Sequence, residues 1–481
     1  MKKYDRECEV VVVGSGMGGM TCALALARKG KKVEIIEQGS KFGGYLSYFK
    51  RDNFLFEAYL HVFGDCEKGG LMYDLLGELG LRDKIKFSRI DYTLFTPKGP
   101  VIFPRNSDEI IKALSPLFPG EDQGLKNLLN TMKTIYNDFL KLPSPSPVLE
   151  RYKDKTCKEL LDEFLKNEEL KNLLMGAWLY ILMPPSKTSA IMISVLMMIY
   201  LLSQGGFFPQ GGSKAVVEAF SKELEKDQTR MTLKTKVTKI IVENGRAVGV
   251  ETEKGERIRA DFVVSNAAAR QTFLDLVGEK ELAIDFVTDL KQKELSLSSF
   301  VVFLGVEMDL EKLNLTHQIF VNTSTKTFDE AYENVLKGEI GDYITITIPT
   351  IGDPGLAPGK NKHSLTIWTI APYHLEGKDW KVEREKIADK IIRKAEEVIP
   401  DLSKHILVKN IATPLTLEKF TLNTEGATVG WIQTRETVFG RPQQKSPIEN
   451  LYLTGHWTMP GEGHMLTAKS GIDAAKLILS R

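Results

Sequence analysis

Short, wholly apolar runs alternate along this chain with longer amphipathic stretches, and the alternation predicts a mixed α/β architecture. Val10-Val11-Val12-Val13 is β-branched throughout, which predicts a strand buried on both faces, as in a parallel sheet. Gly14-Ser15-Gly16-Met17-Gly18-Gly19 follows at once. Met20 to Lys29, rich in Ala and Leu and stopped by Gly30, then predicts a helix with a glycine at its C-terminal end. Lys32 to Glu37 returns as a second strand, completing a strand–helix–strand unit within about 30 residues.

From Leu71 the pattern becomes helical and amphipathic until Pro143-Ser144-Pro145-Ser146-Pro147 interrupts it with an extended linker or turn. Leu173 to Met183 and Ala190 to Leu202 flank Pro184-Pro185, and each is well short of the ~20 residues that span a bilayer. They predict a helical pair capping a greasy cavity. A helix resumes after Phe207-Phe208-Pro209-Gln210-Gly211-Gly212, Thr232 to Ala260 reads as two strands around the turn Glu243-Asn244-Gly245, and Phe262 to Asn266 reads as a short buried strand. Further strands are expected at Ser299–Val306, Tyr343–Ile348 and Ser364–Tyr373, before a charged helix from Val382 to Ile399. Leu451 to Arg481 closes the chain as strand, glycine loop and helix.

The glycine cluster carries the first candidate chemistry. Residues without side chains at Gly14, Gly16, Gly18 and Gly19 let the backbone turn tightly and approach a pyrophosphate, whose charge then sits at a helix N-terminus. Glu37, ending the second strand, is placed to accept hydrogen bonds from adenosine ribose hydroxyls. A nicotinamide enzyme needs little more than this, whereas a flavoprotein must also hold a large ring system, often by returning its C-terminus to it. This chain has the parts for that return: the strand ending at Gly455, then Pro460-Gly461-Glu462-Gly463 directly before the helix Met465 to Leu479. Backbone N–H groups at that helix start suit the N1–C2=O edge of a flavin, where negative charge develops on reduction.

Composition removes other classes. The 481 residues carry 64 basic and 63 acidic side chains, a net +1 that leaves no electrostatic footprint for nucleic acid. Cys8, Cys22, Cys66 and Cys157 are scattered, with no Cys-x-x-Cys pair and no Cys/His cluster at zinc spacing, so no metal site is expected and a reducing compartment is. The charged segment Met1 to Glu9 runs into only four valines, too short a core for a signal peptide. A cytoplasmic protein is expected, with a peripheral membrane contact through the apolar stretches as a further reading. No feature sets an oligomeric state.

The motifs taken together resemble a known family. The N-terminal unit with Glu37 and Gly43-Gly44, the Phe-Pro-Gln-Gly-Gly segment at 208–212, and the C-terminal strand, Pro-Gly-x-Gly turn and helix are similar to the FAD-dependent phytoene desaturase, carotenoid isomerase and retinol saturase superfamily of amine-oxidase-like flavoproteins. Phe56 to Gly64 resembles its Phe-Asp-x-Gly-x-His stretch, Ala412-Thr413-Pro414 with Gly426 its Thr-Pro segment, and Asp353-Pro354 with Ala357-Pro358 its Asp-Pro loop. Tyr59 stands where that family usually has glycine, and His456 where it commonly has aspartate.

The resemblance implies a discontinuous Rossmann-type FAD domain built from residues 1–88, 205–295 and 440–481, and an α+β substrate domain with a helical cap from 89–204 and 296–439. It implies FAD contacts at Gly14, Gly16, Gly18, Gly19, Glu37, Gly43, Gly44, Val237 (near the adenine through backbone atoms), Gly455, His456, Gly461, Gly463, His464 and Met465. Tyr59, His61, His456 and His464 become the candidates for a role beside the flavin, the histidines as proton shuttles. The implied activity is desaturation, saturation or cis–trans isomerisation of an apolar polyene such as a carotenoid or retinoid. Two alternatives share the nucleotide motifs: a flavin amine oxidase, and a non-catalytic prenyl-binding escort protein.

Overall fold

The valine run lies in the middle of a sheet. In the computed structural model, which describes residues 3–144 and 146–481, the strand Arg6–Val13 has parallel neighbours on both sides, Val33–Ile36 and Arg257–Ser265. Val10, Val11 and Val12 have no exposed surface because helices cover both faces of the sheet. Arg230–Thr232 extends the sheet beyond Val33–Ile36, and Leu451–Leu453 pairs in parallel with Val263–Ser265. The strands Val237–Glu243 and Arg246–Thr252 complete it in antiparallel fashion. Three distant stretches of chain thus share one sheet, and the helices Met17–Ala27 and His464–Leu479 lie against each other beside it. A Cβ on Gly471 would stand 2.4 Å from the Gly18 carbonyl oxygen, so the two helices meet backbone to backbone.

A second seven-stranded sheet runs in the order Ile406–Ala412, Ser298–Glu307, Lys362–Ala371, Ile344–Thr347, Gln318–Val321, Tyr92–Thr96, Gly99–Phe103. Strand alternation separates its faces. Phe300, Val302, Leu304, Ile319, Ile346 and Ile367 pack on the helix Trp380–Ala395, whereas Val301, Phe303, Phe320 and Trp368 point into the main core shared with the first sheet and the helical cap.

Several sequence expectations shift. The region from Leu71 is helical only over Leu71–Glu78; Phe87–Ile90, Tyr92–Thr96 and Gly99–Phe103 are strands, and helices resume at Ser107–Leu114 and Asp122–Phe139. Thr96-Pro97-Lys98-Gly99 is the hairpin turn that divides two of these strands. Thr232 to Ala260 contributes to four strands rather than two, and Phe262 to Ser265 is the end of the nine-residue strand Arg257–Ser265. The Pro143–Pro147 interruption separates Asp122–Phe139 from Pro147–Tyr152; Pro145 in it, like Met1 and Lys2, lies outside the described residues.

The apolar pair also differs in form. Glu168–Leu174 ends before Gly176, whose missing side chain leaves room for Leu94, and a single 3₁₀ turn, Trp178–Ile181, follows. All eight residues of Ala190–Met197 are buried. These stretches are interior to the protein and belong to its main hydrophobic core. Among the described residues no helix is long and apolar enough to cross a membrane.

Candidate active site

Gly14, at φ +90°, turns the chain out of the first strand, and the helix Met17–Ala27 begins on Gly16, which has no side chain to cap it. The N–H groups of Met17 and Gly18 are left for an anion, while that of Gly19 is held within the protein. The loop is packed so closely that added carbons have no room: a Cβ on Gly19 would lie 2.2 Å from the Gly14 carbonyl oxygen, and one on Gly44 would lie 2.9 Å from Gly16 Cα. Gly16 and Gly43 form a parallel bridge, with Gly43 N–H donating to the Ser15 carbonyl at 3.1 Å. Glu37 sits half-buried at the end of its strand. Its Oε2 accepts from Ser15 N–H at 2.9 Å and Ser15 Oγ at 2.7 Å, and its Oε1 from Gly39 N–H at 2.6 Å. Thr235 N–H donates to the Glu37 carbonyl at 3.0 Å, which puts Val237 two residues from the same acid.

The C-terminus returns to this loop. Asn266, notable in the sequence only as the last residue of an expected strand, is the fastener: its Oδ1 accepts from Gly19 N–H at 3.0 Å and Thr454 Oγ1 at 3.1 Å. A Cβ on Gly18 would stand 2.7 Å from Gly455 N. Gly461 and Gly463 lie further along, where His464–Leu479 starts on Gly463 without a side-chain cap. Met465 is fully buried in its first turn.

Beside that turn stands a buried ion pair invisible in the sequence. Arg441 Nη2 donates to Glu462 Oε2 at 3.1 Å, Gln433 Nε2 donates to the same oxygen at 2.7 Å, and Arg441 Nη1 donates to the His456 carbonyl at 2.6 Å. The Arg441 side chain has no exposed surface and Glu462 keeps 6%. Burial pushes the Glu462 carboxyl up and the Arg441 guanidinium down, with the mutual attraction opposing both shifts. Arg441 Nε and Glu462 Oε1 have no partner.

Tyr59, His61, His456 and His464 come together between the two sheets. Tyr45 stacks on Tyr59 with centroids 4.6 Å apart and on His456 at 5.6 Å; His61 lies 5.5 Å from Trp368 and 6.1 Å from Tyr180; His464 stacks on Phe63 at 4.8 Å. All these groups except Phe63 and Trp368 keep partly accessible surface, yet the titration of Tyr45, Tyr59, Tyr180 and the three histidines is dominated by desolvation. Loss of solvent holds His61 and His456 down at about 3 and His464 at about 4, with repulsion from His317 and His464 adding at His61 and from Arg441 at His456. Burial pushes Tyr59 up to about 12.

All three imidazoles are therefore neutral near pH 7, and among the described residues none bonds a carboxylate. Thr347 Oγ1 donates to Gln318 Oε1 at 2.7 Å, so it accepts from His61 Nδ1–H at 2.7 Å and leaves the lone pair on Nε2. His317 Nε2–H donates to the His61 carbonyl at 3.0 Å. This arrangement serves positioning better than shuttling, since an imidazolium in such a site is strongly disfavoured.

A pH dependence follows for His456, whose Nε2 has no partner. Its folded pKa of about 3 lies below the ordinary 6.5, so the unfolded chain binds the extra proton between those values. Its contribution is full above pH 6.5 and is lost as the pH falls toward 3. In urea denaturation, the stability difference between the native protein and His456→Gln should move by about 2 kcal/mol against the native protein from pH 7 to pH 5.

The remaining motifs fasten segments together. Glu57, held up at about 7 by burial, accepts from Ser213 N–H at 3.1 Å, and Asp353 Oδ2 accepts from Gly211 N–H at 2.6 Å. Two carboxyls from distant parts of the chain thus pin the start of the helix Gly212–Lys226. Gly426 lies under the Thr-Pro segment, where a Cβ would stand 2.4 Å from the Pro414 carbonyl oxygen.

A family model described as flavin-containing amine oxidoreductase matches residues 17–479. The chain belongs to that family. Among curated proteins it is 27% identical to a carrot (Daucus carota) prolycopene isomerase over 98% of this chain and 80% of the relative. It is 26% identical to a lycopene-forming phytoene desaturase of Paracoccus sp. over 98% and 97%, and 23% identical to an all-trans-retinol 13,14-reductase of Danio rerio over 94% and 83%. Among solved structures, an oxidoreductase from Methanosarcina mazei superposes with a TM-score of 0.69 at 17% identity, covering 98% of this chain and 100% of that one. As a member of this flavin-containing family the chain is an FAD-dependent oxidoreductase, and its residues fit the cofactor. The side-chain-free cradle of Gly14, Gly16 and Gly44, the uncapped helix start on Gly16, Glu37 at the strand end and the orphaned His456 Nε2 form a continuous set of groups suited to a dinucleotide.

Proposed function

We propose that this flavoprotein acts on carbon–carbon bonds of an apolar polyene, by desaturation or saturation, in which a hydride and a proton leave or join neighbouring carbons, or by isomerisation with no net redox change. The observation that carries the reading is the cluster of aromatic rings and neutral imidazoles between the two sheets, in which, among the described residues, none of the three histidines bonds a carboxylate. Bound FAD supplies the hydride acceptor or donor. The protein holds the substrate carbon and excludes water, a task for apolar and aromatic walls. His61, fixed by Thr347, offers Nε2 as a neutral hydrogen-bond acceptor, and Tyr59, kept protonated by burial, orients its neighbour Tyr45.

Burial of a polyene contributes roughly 0.8 kcal/mol per CH₂, so affinity needs no ion pair. The relatives named for prolycopene, phytoene and retinol support this substrate class. The division into an FAD domain (1–88, 205–295, 440–481) and a substrate domain (89–204, 296–439) is supported by the membership of the two large sheets. A cytoplasmic setting is supported by four unpaired cysteines.

The test is anaerobic incubation of the protein, oxidised and then reduced, with a panel of polyenes, reading double-bond number and geometry in the products. A change in either is expected. Turnover of amines with peroxide release, and no change in any polyene, would overturn the reading.

A further inference from the structure

A slot of about 170 Å³ lies between the helix Leu71–Glu78 and a small sheet in which Gly206–Pro209 pairs with both Phe63–Gly64 and Phe87–Ile90. Leu76, Ile85 and Phe207 in its lining are buried, and the rings of Tyr73 and Phe87 join them. A cavity of about 150 Å³ with such walls holds benzene, so this slot has room for one six-membered ring and a small substituent. Phe63, which is buried and does not line the slot, stands between it and the histidine cluster: its centroid is 5.4 Å from that of Phe87 and 4.8 Å from that of His464. The slot is therefore distinct from the site beside the flavin.

Two guanidiniums complete the lining, each over an aromatic face. Arg82 lies 3.9 Å from the Tyr73 centroid and Arg89 5.2 Å from that of Phe207. Their bonding differs. Glu67, the one carboxylate among the described residues of the lining, accepts from Arg89 Nε at 2.8 Å and from Arg89 Nη2, while Arg89 Nη1 donates to the Gln204 carbonyl at 3.0 Å. Arg82 Nε and Nη2 reach only the Tyr73 carbonyl, at 3.4 and 3.3 Å, and among the described residues its Nη1 has no partner. The Arg82 guanidinium lies in the gap left by Gly77, where a Cβ would stand 1.9 Å from Nη2. Two cations and one anion leave a single spare positive charge on Arg82. A monoanion matches it, whereas a phosphate ester, close to a dianion at pH 7, brings a charge with no counterpart.

We propose that this slot binds a small aromatic carboxylate, its ring among Phe87, Phe207 and Leu76 and its carboxylate on Arg82. The proposal goes beyond the polyene reading and does not rest on it.

The probes are benzoate, benzyl alcohol, which keeps the ring without the charge, and acetate, which keeps the charge without the ring. Calorimetric titration of the FAD-loaded protein should give benzoate a Kd at least ~10-fold below either, about 1.4 kcal/mol. Arg82→Gln changes an exposed side chain that has no ion pair among the described residues. In that variant benzoate should bind no better than benzyl alcohol, whose own affinity should not change. Glu67→Gln tests the charge count without touching Arg82: it frees the N–H groups of Arg89, and benzoate should then bind at least ~3-fold tighter. The absorbance of the bound flavin should stay constant in every titration.

Benzoate affinity no higher than that of benzyl alcohol or acetate would overturn the proposal, as would affinity unchanged in Arg82→Gln or not raised in Glu67→Gln. A flavin spectrum that moves with benzoate would place the ligand at the cofactor instead and overturn it equally.

Discussion

Arg441→Leu is expected to destabilise the protein by about 3–5 kcal/mol, because it strands a carboxylate in the interior. Glu462 would keep only the Gln433 amide as partner for Oε2, and the His456 carbonyl would lose a donor now 2.6 Å away. The double variant Arg441→Leu, Glu462→Leu should recover most of the loss, since an apolar pair of similar volume incurs no charge desolvation. Chemical denaturation of the native protein, both single variants and the double variant measures this as a cycle. An Arg441→Leu protein as stable as the native one would show that the pair is not buried as described. Because the pair abuts Gly461, less than 4 Å from the Arg441 guanidinium at the Cβ position, the single variant should also disorder the turn before the last helix.

Gly19→Val is expected to yield a colourless protein. The new Cβ would meet the Gly14 carbonyl oxygen, a backbone atom that cannot swing aside, so the first helix must separate from its loop. The N–H groups of Met17 and Gly18 at the start of that helix would then no longer converge on a pyrophosphate. FAD affinity should fall at least ~100-fold, about 2.7 kcal/mol, read as the flavin absorbance retained after gel filtration and as a Kd by titration of the apoprotein. Gly30→Ala is the control. Nothing lies within 4 Å of its Cβ position, and its φ of +81° costs roughly 1 kcal/mol without touching the loop, so that variant should remain yellow.

The parts of the site readable from sequence are those whose chemistry is local. A valine run followed by glycines and a helix specifies its own turn, because tight backbone approach admits no other residue type. Glu37 is legible for the same reason: it ends a strand of the unit whose glycines hold the phosphate. The strands from Phe87 to Phe103 were not legible, since Tyr92 and Leu94 are buried by a partner strand, Gln318–Val321, more than 200 residues away. Sequence spacing carries no trace of such a partner. The apolar pair around Pro184-Pro185 was legible as buried but not as a broken helix, because Gly176 answers to Leu94 across the core.

The residues gathered around His61 mark the limit. Tyr180, Gln318, Thr347 and Trp368 come from the helical cap and three separate strands, and none stands in a motif. Their meeting follows from strand register, in which Thr347 lies opposite Gln318 and Thr345 opposite Trp368. Arg441 and Glu462 find each other across a turn for the same kind of reason. The amino-acid order alone was enough to establish a nucleotide cradle, its acid and a returning C-terminus, because each rests on backbone conformations that neighbouring residues enforce. The identity of the substrate wall and the charge state of its histidines depended on folding, because both are set by which side chains lose water together.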